Sequence, residues 1–100
     1  MIVNIFQPQI VDQMSRVLKR NDIIYAGIFG SYAKNKQNNE SDIDLLIEFD
    51  PTKKKTLFDM VDIQYELRDI LNKKVDLVTK NSLNKYIKSE ILNSVKVIYG

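Results

Sequence analysis

The spacing of apolar residues changes repeatedly along this 100-residue chain, and that alternation limits the folds open to it. Helical spacing follows Pro8, Thr56 and Ser82, whereas the apolar runs between these segments have the composition of strands. Strands are predicted over 23–29, 42–49, 75–78 and 95–99, with the last at an edge. The predicted inward residues of the three helices are Ile10, Val11, Met14, Val17 and Leu18; Leu57, Met60, Val61, Leu67, Ile70 and Leu71; and Leu83, Tyr86, Ile87 and Ile91. Strands that alternate with helices predict an α/β sandwich.

Composition restricts the chemistry available to the chain. Hydrophobic residues make up 44% of it, which suffices for one core, so a single domain over residues 1–100 is expected. Because there is no cysteine and no histidine, disulfides, thiolate metal sites, histidine triads and histidine-ligated zinc are excluded. Any catalysis must therefore depend on carboxylates, hydroxyls, lysines and the backbone.

The charge pattern gives little sign of a nucleic-acid or membrane partner. The formal net charge is only +2, and no stretch combines dense basic residues with regularly spaced aromatics, so nucleic acid is not expected as the main partner. The run Lys53–Lys55 is interpreted as a solvated loop. The N-terminus lacks a signal-peptide pattern and no apolar run is long enough to cross a bilayer, which predicts a cytoplasmic protein without a membrane partner.

Two carboxylates mark the start of the second predicted strand. Asp42 and Asp44 share one strand face, with Cα atoms roughly 6.6 Å apart, because strand side chains alternate with period two. Their oxygens can converge on one ion, and a divalent cation would reverse their mutual repulsion. Magnesium suits such hard oxygen ligands and keeps positions free for phosphates. The pair therefore predicts a magnesium site beside a phosphate-bearing substrate.

The end of the first predicted strand carries the complementary feature. Gly30 lets the backbone approach a ligand closely, and Ser31, at the start of a predicted helical turn, offers its hydroxyl and nearby N–H groups to a phosphate. A polar loop over 34–40 then leads to the acidic pair. A phosphate cradle beside a metal is what transfer at phosphorus requires, since that catalysis is mostly positioning and charge neutralisation.

Each feature also has a plain structural explanation. Gly30-Ser31 alone is most often a turn, Asp42 and Asp44 could line a solvated strand face, and Asp76 could be an exposed edge residue. Two considerations favour a site. The glycine–serine pair and the acidic pair fall at a strand end and a strand start, and Asp76 lies in an otherwise apolar strand, where an unpaired carboxylate is costly.

These residues resemble the signature of a known family. Gly30-Ser31, ten further residues and then Asp42-Ile43-Asp44, with a third acid at Asp76, are similar to the DNA polymerase beta-like nucleotidyltransferase superfamily, and most of all to its minimal nucleotidyltransferase (MNT) branch. The resemblance covers nearly the whole chain and implies a small mixed β-sheet flanked by helices. One departure is Lys34-Asn35, where minimal members often have Arg-Gly; lysine keeps the charge but loses the bidentate fork of arginine.

The resemblance implies the roles of the residues. Asp42, Asp44 and Asp76 are expected to be catalytic and to hold Mg²⁺, with two ions, while Gly30, Ser31 and Lys34 bind the nucleotide. ATP is the expected donor. Small members of this branch resemble antitoxins paired with a HEPN-domain toxin, so AMP transfer to a toxin tyrosine within a hetero-oligomer is the leading expectation. A catalytically idle binding antitoxin and the catalytic subunit of a small-molecule nucleotidyltransferase are the alternatives.

Overall fold

A computed structural model describes residues 7–30, 33 and 42–100 of the chain. Its four strands form one sheet in the order β3-β2-β1-β4. β1 pairs antiparallel with β2 and with β4, whereas β2 and β3 run parallel, so the predicted mixed sheet is confirmed. The elements are α1 (Pro8–Arg20), β1 (Ile23–Phe29), β2 (Ile43–Phe49), α2 (Leu57–Leu71), β3 (Val75–Thr79), a 3₁₀ turn at Lys80–Ser82, α3 (Lys85–Ser94) and β4 (Lys96–Tyr99).

Local sequence signals explain where the first two helices begin and end. Pro8 occupies the first turn of α1, where its missing N–H costs nothing, and Asn21 caps its C-terminus. α2 starts with a reciprocal capping box in which the Thr56 N–H donates to Asp59 Oδ2 at 2.8 Å and the Asp59 N–H donates to Thr56 Oγ1 at 3.4 Å. Asn72 ends α2 in the left-handed conformation at φ 54°. The predicted capping box is confirmed.

The core lies between one face of the sheet and the helices α1 and α2. Alternate residues of β2 enter it, as the strict alternation of the sequence predicts. The buried members of this cluster are Met14, Val17, Leu18, Ile23, Ala26, Ile28, Ile43, Leu45, Ile47, Ile63, Leu67, Leu71 and Val75. Asp44 therefore lies on the opposite face of the sheet, away from α1 and α2.

The predicted inward face of α2 is wrong in part. Leu57 and Val61 are 78% and 44% exposed, whereas the unpredicted Ile63 is completely buried. Ile63, Leu67 and Leu71 follow one another at four-residue intervals and define the buried stripe. Successive helical residues are rotated by about 100°, which places Leu57 about 80° and Val61 about 120° from Leu67, the middle of that stripe. Because apolar residues lie on more than one side of α2, the sequence pattern did not show which side is buried.

The predicted start and orientation of α3 are also wrong. The helix begins at Lys85 and is capped by Asn84, whose side chain accepts from the Ile87 N–H at 3.0 Å. Ser82 belongs to the preceding 3₁₀ turn, where its hydroxyl donates to the Thr79 carbonyl at 2.9 Å. No residue of α3 is buried, and Tyr86 is 85% exposed rather than inward. The apolar spacing of α3 indicated a buried face, but every residue of the helix is at least partly exposed.

Two further features complete the comparison with the sequence. The helical turn predicted from Ser31 and the loop predicted over 34–40 lie outside the described residues. Within the described part of the chain, every helix is too short or too polar to traverse a bilayer.

Candidate active site

The parallel register of β2 and β3 brings two of the predicted acids together. Asp44 pairs directly with Asp76 across the two strands. Residues paired in this way point to the same face of a sheet, so both carboxylates lie on the face opposite α1 and α2. A position for Asp76 on the other face would have removed any common site.

Asp42 lies one step beyond this pair in the same ladder. It precedes β2 by one residue, and its backbone neighbour Ile43 donates its N–H to the Lys74 carbonyl at 3.0 Å. The Lys74 Nζ approaches Asp42 Oδ2 at 3.9 Å. Two rungs of this face therefore stand at the start of β2 and β3, one formed by Asp42 and Lys74 and the other by Asp44 and Asp76, and the Ile43–Val75 pair between them faces the opposite side.

The pKa of Asp44 reflects its burial and the negative charges beside it. Its pKa is raised above the ordinary aspartate value, first by burial, then by the charge of Asp76 and then by that of Asp42. Both neighbours thus act on the same carboxylate, although they are separated by many residues in the chain. A cation held there would stabilise all three ionised groups.

Gly30 makes room for the Asp44 carboxylate. A Cβ at position 30 would stand 2.6 Å from Asp44 Oδ2, which is closer than any real contact. The backbone there also has φ 75°, a conformation that side chains disfavour. The end of β1 and the start of β2 therefore meet, as the sequence predicts. Ser31 and Lys34, the other predicted nucleotide ligands, lie outside the described residues.

The donor set fits a magnesium site in its chemistry. Carboxylate oxygens are the hard ligands that this ion prefers, and Asp44 and Asp76 lie side by side on adjacent strands. Among residues 7–30, 33 and 42–100, no three acidic side chains already converge on one point. The Asp42 carboxylate lies beside Lys74 instead.

Two cavities lie near the sheet, one beside this site and one away from it. One, of about 270 Å³, lies between α2 and the start of β3 and is lined by Val61, Gln64, Tyr65, Arg68, Lys74 and Val75. The other, of about 510 Å³, lies at the opposite end of the sheet, where Phe49, Lys55 and Lys80 are among its lining residues. Neither is lined by Asp44 or Asp76, so the larger volume does not mark the site. The chemistry of the acidic ladder is the better guide.

Comparison with known proteins decides the family. The profile of the family described as polymerase beta, nucleotidyltransferase, matches residues 12–100. The chain belongs to this family. It is accordingly a nucleotidyltransferase, and the match spans β1, β2 and β3, the strands that carry the acidic ladder and its glycine.

Relatives and solved structures agree with this assignment. A protein of Methanocaldococcus jannaschii, classed by name as a protein adenylyltransferase, is 46% identical over 77 residues, which cover 77% of this chain and 81% of that protein. A toxin–antitoxin structure with AMP-PNP contains a chain of similar fold, with TM-score 0.76, 22% identity and coverage of 90% and 73%. A complex from Shewanella oneidensis, between a tri-AMPylated HEPN toxin and an MNT antitoxin, gives TM-score 0.67, 20% identity and coverage of 90% and 69%. Both structures establish the likeness of fold.

Lys74 is the residue near this site that the sequence analysis missed. The sequence feature that could have identified Lys74 is its position two residues before Asp76, because residues two apart in a strand share one face. Only the register between β2 and β3 shows that this face position falls beside Asp42. A parallel pair separated by a helix leaves that register unspecified in the sequence.

Proposed function

We propose that this nucleotidyltransferase transfers AMP from ATP to a tyrosine hydroxyl of a protein, and that its partner is a HEPN-domain toxin which it neutralises. The observation that carries the proposal is the pairing of Asp44 with Asp76 beside Gly30. The 46% identical relative classed as a protein adenylyltransferase supports a protein acceptor. The fold shared with the MNT antitoxin complex supports a HEPN partner and a hetero-oligomer.

The residues have distinct roles in this reaction. Asp42, Asp44 and Asp76 would hold two magnesium ions, which supply charge neutralisation at the attacking and leaving oxygens. Ser31, with the Gly30–Ser31 backbone, would hold the β- and γ-phosphates, and Lys34 would contribute to nucleotide binding. The tyrosine oxygen forms a bond to the α-phosphorus while the bond from that phosphorus to the β-phosphate oxygen breaks. The hydroxyl proton passes to a carboxylate oxygen of Asp76, and pyrophosphate leaves.

The transfer can be followed with ATP labelled at either end. The full chain is incubated with magnesium and a purified HEPN-domain protein, using ATP labelled at the α-phosphorus or at the γ-phosphorus. AMP transfer requires that only the α label becomes attached to the partner, with a mass gain of one AMP per modified tyrosine. Labelling from the γ position would contradict the proposal, because it indicates phosphoryl transfer.

A matched pair of variants tests the assigned site. Asp44→Asn removes one carboxylate of the ladder, and we expect transfer to be abolished with the fold retained. Glu48→Gln removes a carboxylate from the same face of β2, four residues further on, and we expect activity to be kept. Equal activity in both variants would refute the assignment of Asp44.

Neutralisation by binding alone is the second candidate. It is favoured by an exposed apolar surface on α2, formed by Leu57, Phe58, Val61 and Tyr65, which are 78%, 80%, 44% and 60% exposed. Toxin activity measured with wild type and with Asp44→Asn separates the two functions. Equal neutralisation by both, without a mass gain on the toxin, would favour binding alone.

A further inference from the structure

Lys74 stands in the acidic ladder at the place opposite Asp42. Asp44 faces Asp76 on one rung, whereas on the preceding rung a lysine faces the acid. The ladder therefore carries three negative charges and one positive charge on a single face at the start of two adjacent strands. Lys74 is the cation that the described residues place against these acids.

The pair formed by Lys74 and Asp42 is poorly explained as a stabilising contact. The two side chains are 69% and 45% exposed, and their closest atoms are 3.9 Å apart. Ion pairs of this kind contribute little to folding, because solvent screens them and the ordering of two long side chains opposes them. The position of the ammonium group, beside a proposed metal ligand, is thus the feature that requires a function.

We propose that Lys74 is a positioning residue that acts as an internal counter-ion of Asp42 and weakens the binding of free divalent metal. The inference rests on the proposed function, since it takes the ladder as the metal site. The ammonium group competes with the metal for the Asp42 carboxylate, so a bare ion is held weakly. The additional negative charge of a nucleotide triphosphate then favours binding of metal and nucleotide together.

The Lys74 side chain is 69% exposed, so it can leave Asp42 when the metal takes its place. The side chain also lines the cavity between α2 and β3, together with Tyr65 and Arg68. A change of rotamer is the simplest route for this displacement, because solvent surrounds most of the side chain. The exposure of the side chain keeps the cost of that rearrangement low.

The size of the effect follows from the charges. Removing one positive charge roughly 6 Å from a divalent ion strengthens binding about tenfold at the dielectric constant of water. Screening at about 0.15 M salt lowers this to roughly threefold to tenfold, because the separation is close to the Debye length. An effect of this size is measurable by titration.

Manganese, followed by electron paramagnetic resonance, is a suitable probe because free and bound Mn²⁺ give different signals. The full chain is titrated without nucleotide as wild type, Lys74→Met and Lys74→Arg. We expect Lys74→Met to bind Mn²⁺ about threefold to tenfold more tightly and Lys74→Arg to behave like wild type. ATP should narrow the difference between Lys74→Met and wild type. Thermal unfolding of each variant verifies that the fold is retained.

Lys54→Met provides the control for net charge. Lys54 is an exposed lysine in the loop after β2, at the opposite end of that strand from Asp42, and the substitution changes the net charge equally. Binding by Lys74→Met that equals wild type or is weaker, or an equal gain in Lys54→Met, would overturn the proposal. Absence of Mn²⁺ binding in both the wild type and Lys74→Met, with and without ATP, would overturn the metal site itself and the proposed function with it. Wild-type binding that Asp44→Asn abolishes, with no effect at Lys74, would refute only the counter-ion role.

Discussion

Replacing Asp44 by asparagine should make the metal-free protein more stable while it abolishes metal binding. Asp44 is partly buried, and its pKa is raised by burial, by Asp76 and by Asp42, in that order. An aspartate with a raised pKa in the folded state destabilises that state once the pH exceeds its unfolded pKa, because the ionised form is disfavoured on folding. Asparagine has nearly the same shape and removes the charge, so it should relieve this destabilisation at neutral pH.

The magnitude follows from the ladder geometry. Carboxylates on paired residues of adjacent strands are about 5 Å apart, and two such charges repel by about 1 kcal/mol in water and about 3 kcal/mol at an effective dielectric constant of 20. Because Asp44 is only partly buried, we take the lower value. About 1 kcal/mol corresponds to a rise in Tm of about 4–8 °C for a domain of this size.

Thermal unfolding with and without magnesium measures both parts of the prediction. Magnesium at ten times its Kd should stabilise the wild type by about 1.4 kcal/mol, whereas Asp44→Asn should not respond. Glu48→Gln, on the same strand face, should keep the response to magnesium. An Asp44→Asn protein that is less stable than the wild type without metal, or that responds to magnesium equally, would refute the reasoning.

Four other substitutions test separate parts of the account. Gly30→Ala should destabilise the fold by about 1–2 kcal/mol because φ is 75° there, and should weaken Mn²⁺ binding because its Cβ displaces the Asp44 carboxylate; thermal unfolding and titration measure the two effects. Leu67→Ala should cost about 2–5 kcal/mol in urea unfolding, whereas Phe58→Ala, at 80% exposure, should cost little. The Thr56 backbone N–H lowers the pKa of Asp59, so the stability that Asp59 contributes is present above its unfolded pKa and is lost as the pH falls through the folded value. Asp59→Asn should therefore be less stable than wild type at neutral pH, and the difference should disappear on acidification; an unchanged difference at low pH would contradict the role of the capping box.

Local signals predicted most of the fold. Pro8, the Thr56–Asp59 box and the alternation of β2 each act within a few residues of chain, so the sequence alone reveals α1, the start of α2 and the buried face of β2. The mixed character of the sheet came from the family resemblance instead, and the order of its strands came only from the structure. The buried face of α2 was predicted correctly at Leu67 and Leu71 but wrongly at Leu57 and Val61, and the inward face predicted for α3 was wrong.

The candidate site was likewise predicted only in part from local sequence patterns. Asp42 and Asp44 share a face through strand period alone, and Gly30 could be placed near them because β1 ends where β2 begins. Their relation to Asp76 and Lys74 depends on the parallel register across α2, which no local pattern specifies. The identification of Asp76 as the third acid therefore required the resemblance, and Lys74 was found only from the structure.

The central claim is that Asp42, Asp44 and Asp76 bind metal together beside Gly30. A crystal structure of the full chain with Mn²⁺ and a non-hydrolysable ATP analogue, with anomalous scattering recorded at the manganese edge, tests it directly. We expect anomalous density in contact with carboxylate oxygens of all three acids and with phosphate oxygens of the analogue, and Lys74 moved away from Asp42. Density placed elsewhere on the protein, or a nucleotide bound without any ion at these carboxylates, would contradict the account.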